Sequence, residues 1–356
     1  MKTFSDVLTI INGRNQKGVE NPNGRYPIYG SGGIISRADQ FLCEKDTVIV
    51  GRKGTINRPL FVEEPFWNVD TAFGLVAKKE VLFPKYLYFF CCSYDFLKLS
   101  TTVTIPSLTK ANLLKIQINL PDIISQQNIA AVLDRICALK RNAEAQLAQL
   151  KLLAKSQFVE MFGDPLSNEK EWPVEELGNR CRITTGNTPP RSDADNYGSY
   201  VEWVKSDNLV DGRVLHAAEM LSEKGAKLAR YAQTGDLLMT CIAGSLNSIG
   251  NASIVDRPVT FNQQINAISP LKDNPVYMLW LFRLAKPILH EGINKVLKGI
   301  LNKGNLSKKQ FPFPPRELQD QFSAFIEQLD KSVFAVNKLI EQYDLLYRAK
   351  LQEYFG

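Results

Sequence analysis

The chain has only two histidines, His216 and His290, and none of its six cysteines forms a C-x-x-C pair. Zinc sites of ordinary spacing draw on such residues, so the sequence excludes a site of that kind. So few histidines also leave little material for a nucleophilic triad or a facial metal triad. We expect the cysteines to be reduced and buried, because free cysteine behaves as a small apolar residue.

Long hydrophobic runs are missing as well. No stretch reaches the roughly 20 apolar residues that span a bilayer. The first residues of the chain lack the apolar core of a signal peptide. We therefore expect a cytoplasmic protein with no membrane partner.

Motifs for nucleotide and methyl-transfer chemistry are also absent. The chain has no G-x-x-x-x-G-K-[ST] loop, so ATP-driven translocation is not expected here. The run Asn187-Thr188-Pro189-Pro190-Arg191 comes nearest to the Asn/Asp-Pro-Pro-aromatic motif of adenine methyltransferases. It has a threonine inserted, however, and an arginine where the aromatic residue belongs. We interpret it as a polar loop, and we expect no catalytic residue, cofactor or metal in this chain.

The composition is that of a globular protein. The 356 residues are 44% hydrophobic and 22% charged, and the length predicts two to three domains. The formal net charge is +6, and the positive excess lies mainly outside the two segments that we interpret below as long helices. Such an excess permits binding of a polyanion without proving it.

An internal repeat organises the sequence. Residues 121–163 and 314–356 align without a gap at an offset of 193, with nine identical positions. The identical pairs are Pro121/Pro314, Gln126/Gln319, Ala131/Ala324, Gln149/Gln342, Leu152/Leu345, Leu153/Leu346, Glu160/Glu353, Phe162/Phe355 and Gly163/Gly356. The same alignment also preserves the apolar positions.

Apolar residues in both copies recur at three- and four-residue steps, which predicts one long helix per copy with a coiled-coil seam. Each helix would start after Pro121 or Pro315 and end at Gly163 or Gly356. Because a lone helix with one apolar stripe is unstable in water, we expect the two to pack together, antiparallel. The residues expected at this helix-pair and partner interface are Ile136, Leu147, Leu150, Leu329, Ile340 and Tyr343.

The blocks that precede the two helices correspond in order too. The matched segments are Gly13 with Gly186, 46–50 with 236–240, 68–72 with 262–267, and 107–110 with 305–308. Short β-type runs alternate with helical runs in each block, which predicts an α+β fold with a pseudo-two-fold internal repeat. The predicted domains are a globular domain at 1–120, a long helix at 121–163, a second globular domain at 164–313 and a second long helix at 314–356.

This order of parts resembles the specificity subunit of type I restriction-modification systems. The resemblance rests on Leu120-Pro121 with Gln126-Gln127, and on the segments 313–315 and 317–319, each of which leads into a long helix. It covers essentially the whole chain. It implies that the two globular domains are target recognition domains, each reading one half of a bipartite DNA site. The helices would set the spacing and dock the methylation subunits.

The resemblance implies partners as well. They are double-stranded DNA, two methylation subunits and, in the full complex, two restriction-translocation subunits. S-adenosylmethionine, ATP and magnesium would be held by those partners and not by this chain. Because the two readers differ in sequence, their half-sites should differ too. The alternative is a standalone DNA-binding adaptor or regulator with a coiled-coil interaction module.

The segment Gly51-Arg52-Lys53-Gly54 is the first candidate for DNA contact. It follows a strand-like run and places two cations between glycines, which let a backbone approach a ligand closely. Arginine can also pair bidentately with guanine. The alternative interpretation is a solvated hairpin tip.

Loop lysines and one amide make up the remaining candidates for DNA contact. Lys110 and Lys308 occupy matched positions after Leu-Thr and Leu-Ser, which suggests a common contact to the DNA backbone or, alternatively, a capped helix start. Lys298, Lys303 and Lys308 lie in a basic, glycine-punctuated loop that suits a phosphate backbone or a plain surface loop. The pair that could reach base edges after Trp203 is Lys205 and Asn208.

Overall fold

The computed structural model describes residues 1–99, 107–293 and 299–356, and the chain divides into two compact units. Unit 1 comprises Met1–Gln146 with Val336–Gly356, and unit 2 comprises Leu147–Ala335. In the described ranges no helix is long and apolar enough to cross a membrane. The domain boundaries given above stay a prediction.

Unit 1 consists of short strands and helices followed by part of a long helix. Its strands are β1 (Lys2–Thr3), β2 (Leu8–Asn12), β3 (Tyr26–Gly30), β4 (Gly33–Ala38), β5 (Thr47–Gly51), β6 (Leu60–Val62), β7 (Trp67–Asn68), β8 (Ala72–Ala77) and β9 (Gln117–Ile118). Its helices are α1 (Phe4–Val7), α2 (Pro84–Ser93), α3 (Lys110–Leu113), the first part of α4 (Ile123–Phe162) and the last part of α10 (Arg316–Phe355), with a 3-10 turn at Phe96–Leu99.

The central sheet of unit 1 has four antiparallel strands in the order β2-β8-β5-β6. Strand β5 is apolar and buried along its length because apolar clusters cover both of its faces. Val48 and Val50 pack into the larger cluster, which includes α2, and Ile49 packs into a smaller one. A second sheet, β4-β3-β7, contains a parallel pairing of β3 with β7, and β1 pairs with β9.

Unit 2 has a larger inventory of elements. Its strands are β10 (Val174–Glu176), β11 (Cys181–Thr185), β12 (Tyr197–Val204), β13 (Leu209–Val210), β14 (Arg213–Val214), β15 (Met220–Leu221), β16 (Tyr231–Ala232), β17 (Leu237–Thr240), β18 (Ile242–Ala243), β19 (Ala252–Ile254), β20 (Val259–Phe261), β21 (Ile265–Pro270), β22 (Gly299–Ile300) and β23 (Gln310–Pro312). Its helices are the last part of α4, α5 (Leu177–Arg180), α6 (Glu223–Leu228), α7 (Pro275–Leu284), α8 (Lys286–His290), α9 (Lys303–Ser307) and the first part of α10. Short 3-10 turns lie at Ala194–Asn196, Ser206–Asn208 and Leu246–Ser248.

The two units share one strand plan. The order β11-β21-β17-β19 in unit 2 repeats β2-β8-β5-β6 in unit 1, and β14 and β13 extend it. The parallel pair β12–β20 repeats β3–β7, and the antiparallel pair β10–β23 repeats β1–β9. The predicted α+β fold and the predicted internal repeat are therefore confirmed.

The match of 107–110 with 305–308 is wrong. The amide of Leu108 donates to the carbonyl of Arg52 at 2.9 Å, and the amide of Leu301 donates to the carbonyl of Cys241 at 2.8 Å. The next residue in each unit caps a short helix, α3 or α9, whose first residue is Lys110 or Lys303. Lys110 thus corresponds to Lys303 and not to Lys308, and the offset of 193 holds here as it does in the long helices.

A second register error concerns strands β5 and β17. Gly51 pairs with Ala72, and Thr240 pairs with Ile265, which occupies the position equivalent to Ala72. The match of 46–50 with 236–240 is therefore off by one residue, since Thr47 is the equivalent of Asp236. The two strands are mostly apolar and buried along their length, so no alternation of polar and apolar residues could fix the register.

The two predicted long helices are confirmed as α4 and α10, and portions of both belong to each unit. In unit 1, Ala130 and Leu133 share a buried cluster with Leu351, and Lys140 pairs with Asp344 at 2.6 Å, which indicates antiparallel packing. In unit 2, the last turns of α4 pack on the first turns of α10. The rings that meet there are Phe158, Phe162 and Phe322, with centroid distances of 5.4 and 5.6 Å to Phe322.

Candidate nucleic-acid interface

Arg52 and Lys53 lie at the end of β5, on a turn that is tied into the sheet through its backbone. The amide of Arg52 donates to the carbonyl of Thr71 at 2.7 Å, and Lys53 forms an isolated bridge with Ser107. Both cationic side chains are exposed, and neither has a hydrogen bond or ion pair among the described residues. The fixed backbone of this turn thus carries two cationic side chains that are available to a ligand.

Other loops of unit 1 close in on this turn. A Cβ atom added to Gly51 would lie only 2.1 Å from the carbonyl oxygen of Thr55 and 3.0 Å from the Cβ of Ser31. A Cβ on Gly13 would lie 1.8 Å from the carbonyl oxygen of Val69. Glycine is required at both positions because backbone occupies the space that a side chain would need. We call this end of unit 1, formed by residues 13–14, 30–33, 51–55, 69–71 and 107–110, loop end 1.

Lys110 begins α3 within loop end 1, but its ammonium group already has a partner. Its Nζ donates to the carbonyl of Ile10 at 2.8 Å, while the side chain of Thr109 caps the helix. This lysine therefore joins α3 to strand β2. The capped helix start that was the alternative interpretation is what the structure contains, and a DNA contact by Lys110 stays a prediction.

The equivalent end of unit 2 has different chemistry. Cys241 and Ile242 stand where unit 1 has Arg52 and Lys53, since the Cys241 amide donates to Gln264 at 2.8 Å as that of Arg52 does to Thr71. Burial raises the pKa of the Cys241 thiol to about 12. We call this end of unit 2, formed by residues 186–191, 205–208, 240–243, 262–264 and 300–303, loop end 2.

The three lysines predicted in the basic loop fall in different places. Lys303, the first residue of α9, is exposed, and its side chain has no hydrogen bond or ion pair among the described residues. Lys308 caps the opposite end of α9 and is also exposed. Lys298 lies outside the residues that the structure describes. Only Lys303 belongs to loop end 2.

Lys205 and Asn208 form one turn at the end of β12. The backbone amide of Lys205 donates a hydrogen bond to the side-chain oxygen of Asn208 at 2.9 Å. The oxygen of the Asn208 side-chain amide is therefore used to shape the turn. The Lys205 ammonium lies 5.3 Å from the centre of the Trp203 ring and pairs with Glu219. The lysine is thereby held against an indole and a carboxylate.

The structure adds Arg191 and Glu219 to this group, which the sequence analysis did not select. Arg191 pairs with Glu219 at 2.9 Å and lies over the rings of Tyr197 and Trp203 at 5.2 and 5.3 Å. Burial alone would raise the pKa of Glu219, but the hydrogen bond and charge of Lys205 and the charge of Arg191 lower it overall. The carboxylate is therefore ionised at neutral pH. No local sequence signal links these residues, because 28 residues separate Arg191 from Glu219.

The residues predicted for the helix interface are all at least partly buried. Ile136 and Leu329 are 5% and 9% exposed, and the other four are half-buried. The outward-facing apolar residues of the same helices are Ile124, Val132, Leu139, Leu152, Leu153, Phe334, Leu339, Leu345 and Leu346.

No group of three or more histidine, cysteine or acidic side chains that could hold a metal ion occurs in the ranges 1–99, 107–293 and 299–356. The free cysteines are mostly buried, and desolvation raises the pKa values of the buried thiols.

Residues 1–152 and 169–342 match the family described as the type I restriction modification DNA specificity domain. The chain belongs to this family. Each matched range contains one loop end. DNA sequence recognition is the function of the chain. The specificity subunit thus has two copies of its DNA specificity domain in one polypeptide.

Individual relatives agree with this assignment. The type I restriction enzyme MjaIX specificity subunit of Methanocaldococcus jannaschii is 22% identical over 83% of this chain and 73% of its own length. The S subunit of a type I restriction-modification system from M. genitalium has the same fold, with a TM-score of 0.66 and 15% identity, over 100% of this chain and 95% of that one. A chain from a structure on complex assembly of the type I R-M system gives a TM-score of 0.61 and 17% identity, over 99% and 96%.

Proposed function

We propose that loop end 1 and loop end 2 of this specificity subunit each contact one half of a bipartite DNA site. The observation that carries the proposal is that the two units share one strand plan but have different residues at their loop ends. Equivalent backbone hydrogen bonds place Arg52 and Lys53 in one unit where Cys241 and Ile242 lie in the other. Binding residues concentrate on loops that a rigid sheet supports. A family whose members bind different targets would therefore vary the residues of these loops.

Because the two loop ends differ in sequence, we expect the two DNA half-sites to differ. Arg52 can pair with the O6 and N7 atoms of guanine, whereas Cys241 is buried and Ile242 offers only an apolar surface. A homodimer with identical readers recognises a palindrome, and two unlike readers in one chain do not. The target of this subunit is therefore a split, asymmetric sequence.

The long helices serve as spacer and docking site in this proposal. Leu152 and Leu153 are 66% and 46% exposed, and their repeat partners Leu345 and Leu346 are 65% and 43% exposed. Apolar residues exposed at identical positions of a repeat suit two copies of the same partner. We infer two methylation subunits and, in the full complex, two restriction-translocation subunits.

The chemistry would then lie with the partners. S-adenosylmethionine, ATP and magnesium would bind to those subunits, and the chain itself would contribute no catalytic residue. Its DNA contacts would come from the cations of the two loop ends and from Lys298 and Lys308. The proposed role is to select the sequence on which the complex acts.

The test is single-molecule methylome sequencing of a plasmid in cells that express the neighbouring methyltransferase gene with or without this chain. We expect a methylated, split, asymmetric adenine motif only when the chain is present. A soluble, assembled complex that leaves no chain-dependent motif would contradict the proposal and favour an adaptor.

A further inference from the structure

The guanidinium of Arg191 is held in place in unit 2 while much of it is unused. Its Nη2 donates to Oε1 of Glu219 at 2.9 Å, and this is its one hydrogen bond within the described residues. The rings of Tyr197 and Trp203 support it at 5.2 and 5.3 Å. The side chain is nevertheless 59% exposed. An arginine has five N–H donors, so several still face outward.

The loop that presents Arg191 is fixed as well. The hydroxyl of Tyr197 donates to the carbonyl of Pro189 at 2.8 Å, and the side-chain amide of Asn196 donates to that of Pro190 at 3.0 Å. Asn196 is only 1% exposed. Two consecutive prolines and two hydrogen bonds thus restrict the backbone just before Arg191, which lowers the entropic cost of using this side chain in binding.

Glu219 distinguishes this arginine from an ordinary phosphate contact. The carboxylate lies between Arg191 and Lys205 and pairs with both. Glu219 offsets one of the two positive charges of this cluster, which weakens the attraction of Arg191 for a DNA phosphate. The major-groove edge of guanine offers two acceptors without a net charge, so its recognition depends on the geometry of the guanidinium more than on net charge.

We propose that Arg191 reads a guanine in the half-site contacted by unit 2, with Glu219 as the positioning residue that holds the guanidinium in the plane of the base. The inference rests on the proposed function and names one specificity-determining contact within it. Arg191 donates two parallel hydrogen bonds to O6 and N7 of the guanine. Lysine cannot replace it, because an ammonium group lacks the planar fork.

The test is selection of bound duplexes from a random pool by the full chain assembled with its methylation subunits, followed by sequencing. The variants are Arg191→Ala, Arg191→Lys and Glu219→Gln. We expect both arginine variants to lose the preference for guanine at one position of one half-site, with discrimination falling by about 5- to 150-fold. Glu219→Gln should weaken that preference while raising affinity for unrelated DNA, because a negative charge is removed.

Two controls accompany these variants. Arg182→Ala removes an exposed cation of the same unit, and it should leave the selected sequence unchanged. The half-site read by unit 1 reports on assembly of the complex and on unit 1, since it should be selected equally by every variant.

Two results would overturn the inference, and a third would contradict the function on which it rests. Arg191→Ala could weaken binding to all DNA sequences equally and lower the slope of log affinity against log salt by about one. That result would make Arg191 a phosphate contact. An unchanged guanine preference in Arg191→Lys would exclude the bidentate contact. A wild-type complex that selects no sequence at all would instead contradict the proposed function itself.

Discussion

The side chain of Gln126 accepts a hydrogen bond from the backbone amide of Phe83 at 2.8 Å and so joins α4 to the start of α2. Its amide nitrogen donates to the carbonyls of Val81 and Pro121. In unit 2, Gln319 accepts from the amide of Asn274, which is the residue before α7, and donates to Pro314. The Pro…Gln signature of the repeat is thus a buried joint between a long helix and its globular block.

Replacement of Gln126 by leucine should destabilise unit 1. Gln126 is 1% exposed, and the variant would remove the hydrogen-bond partner of the Phe83 amide and of two part-buried backbone carbonyls. We expect a loss of about 2–4 kcal/mol in the free energy of unfolding, since each buried unpaired group costs about 1–3 kcal/mol. Hydrogen exchange measured by mass spectrometry should show faster exchange in α2.

Gln127→Leu is the matched control for this prediction. Gln127 is the next residue of the same helix and is exposed. Its replacement should change neither the stability nor the exchange of α2. Equal exchange in the two variants would show that the buried glutamine is not a structural joint.

A second prediction compares neighbouring residues on α4. Leu133 is fully buried in the cluster that includes Leu351 of α10, whereas Val132 is 40% exposed. Leu133→Ala should lower the free energy of unfolding by about 2–5 kcal/mol, because it leaves a cavity. Val132→Ala should change it by less than about 0.5 kcal/mol. Urea denaturation of both variants measures the difference, and similar values would contradict the observed packing.

Arg52 should matter for DNA binding and not for stability. Arg52 is exposed, and its guanidinium carbon lies 5.9 Å from the centre of the Phe73 ring. Arg52→Ala should weaken binding of the cognate duplex by about 1–3 kcal/mol if it reads a base. Fluorescence anisotropy measures this, with Lys2→Ala as an exposed control at the β1–β9 pair. An unchanged affinity and an unchanged target sequence would remove Arg52 from the interface.

The corrected repeat register gives a prediction for two lysines of α9. Lys303 belongs to loop end 2, whereas Lys308 caps the other end of the helix, beside Lys309. We expect Lys303→Ala to reduce the slope of log affinity against log salt by about one. Lys308→Ala should reduce it less. A larger effect at Lys308 would mean that DNA approaches α9 from its C-terminal end.

Glu202 gives unit 2 a pH-dependent contribution to stability. Its carboxylate is hydrogen-bonded by Arg257 and His216, each at 2.6 Å. Burial alone would raise the pKa of Glu202, but these hydrogen bonds outweigh it and lower the pKa. Since the folded pKa is the lower one, the stabilisation is complete above the unfolded value of about 4.3 and is lost as the pH falls through the folded pKa.

Glu202→Gln should therefore lower the free energy of unfolding by about 1–2 kcal/mol at pH 7, as expected for hydrogen bonds to a charged group. The difference from wild type should shrink as the pH falls below about 4, because Glu202 then becomes neutral in both states. Urea denaturation across this pH range is the measurement. Glu223→Gln, at an exposed site on α6, is the control and should show no such trend.

The positions of the long helices could be predicted to within a few residues. Pro121 and Gly163 bracket α4, and Gly163 adopts the positive φ of 77° that favours glycine just past a helix end. The shorter blocks could be matched only in part. Gly13 and Gly186 were paired correctly because a close backbone contact requires glycine in each unit. The β5 and β17 strands offered no such marker.

The sequence by itself determined the repeat, the two amphipathic helices, the α+β class and the family, because periodicity and aligned identities are properties of neighbouring positions along the chain. Only the tertiary structure decided that Lys110 is engaged with Ile10 and that its counterpart is Lys303. It also decided that Arg191 and Lys205 share one carboxylate, Glu219. Such contacts join loops that are distant in sequence, and their partners become known only when the sheet brings the loops together.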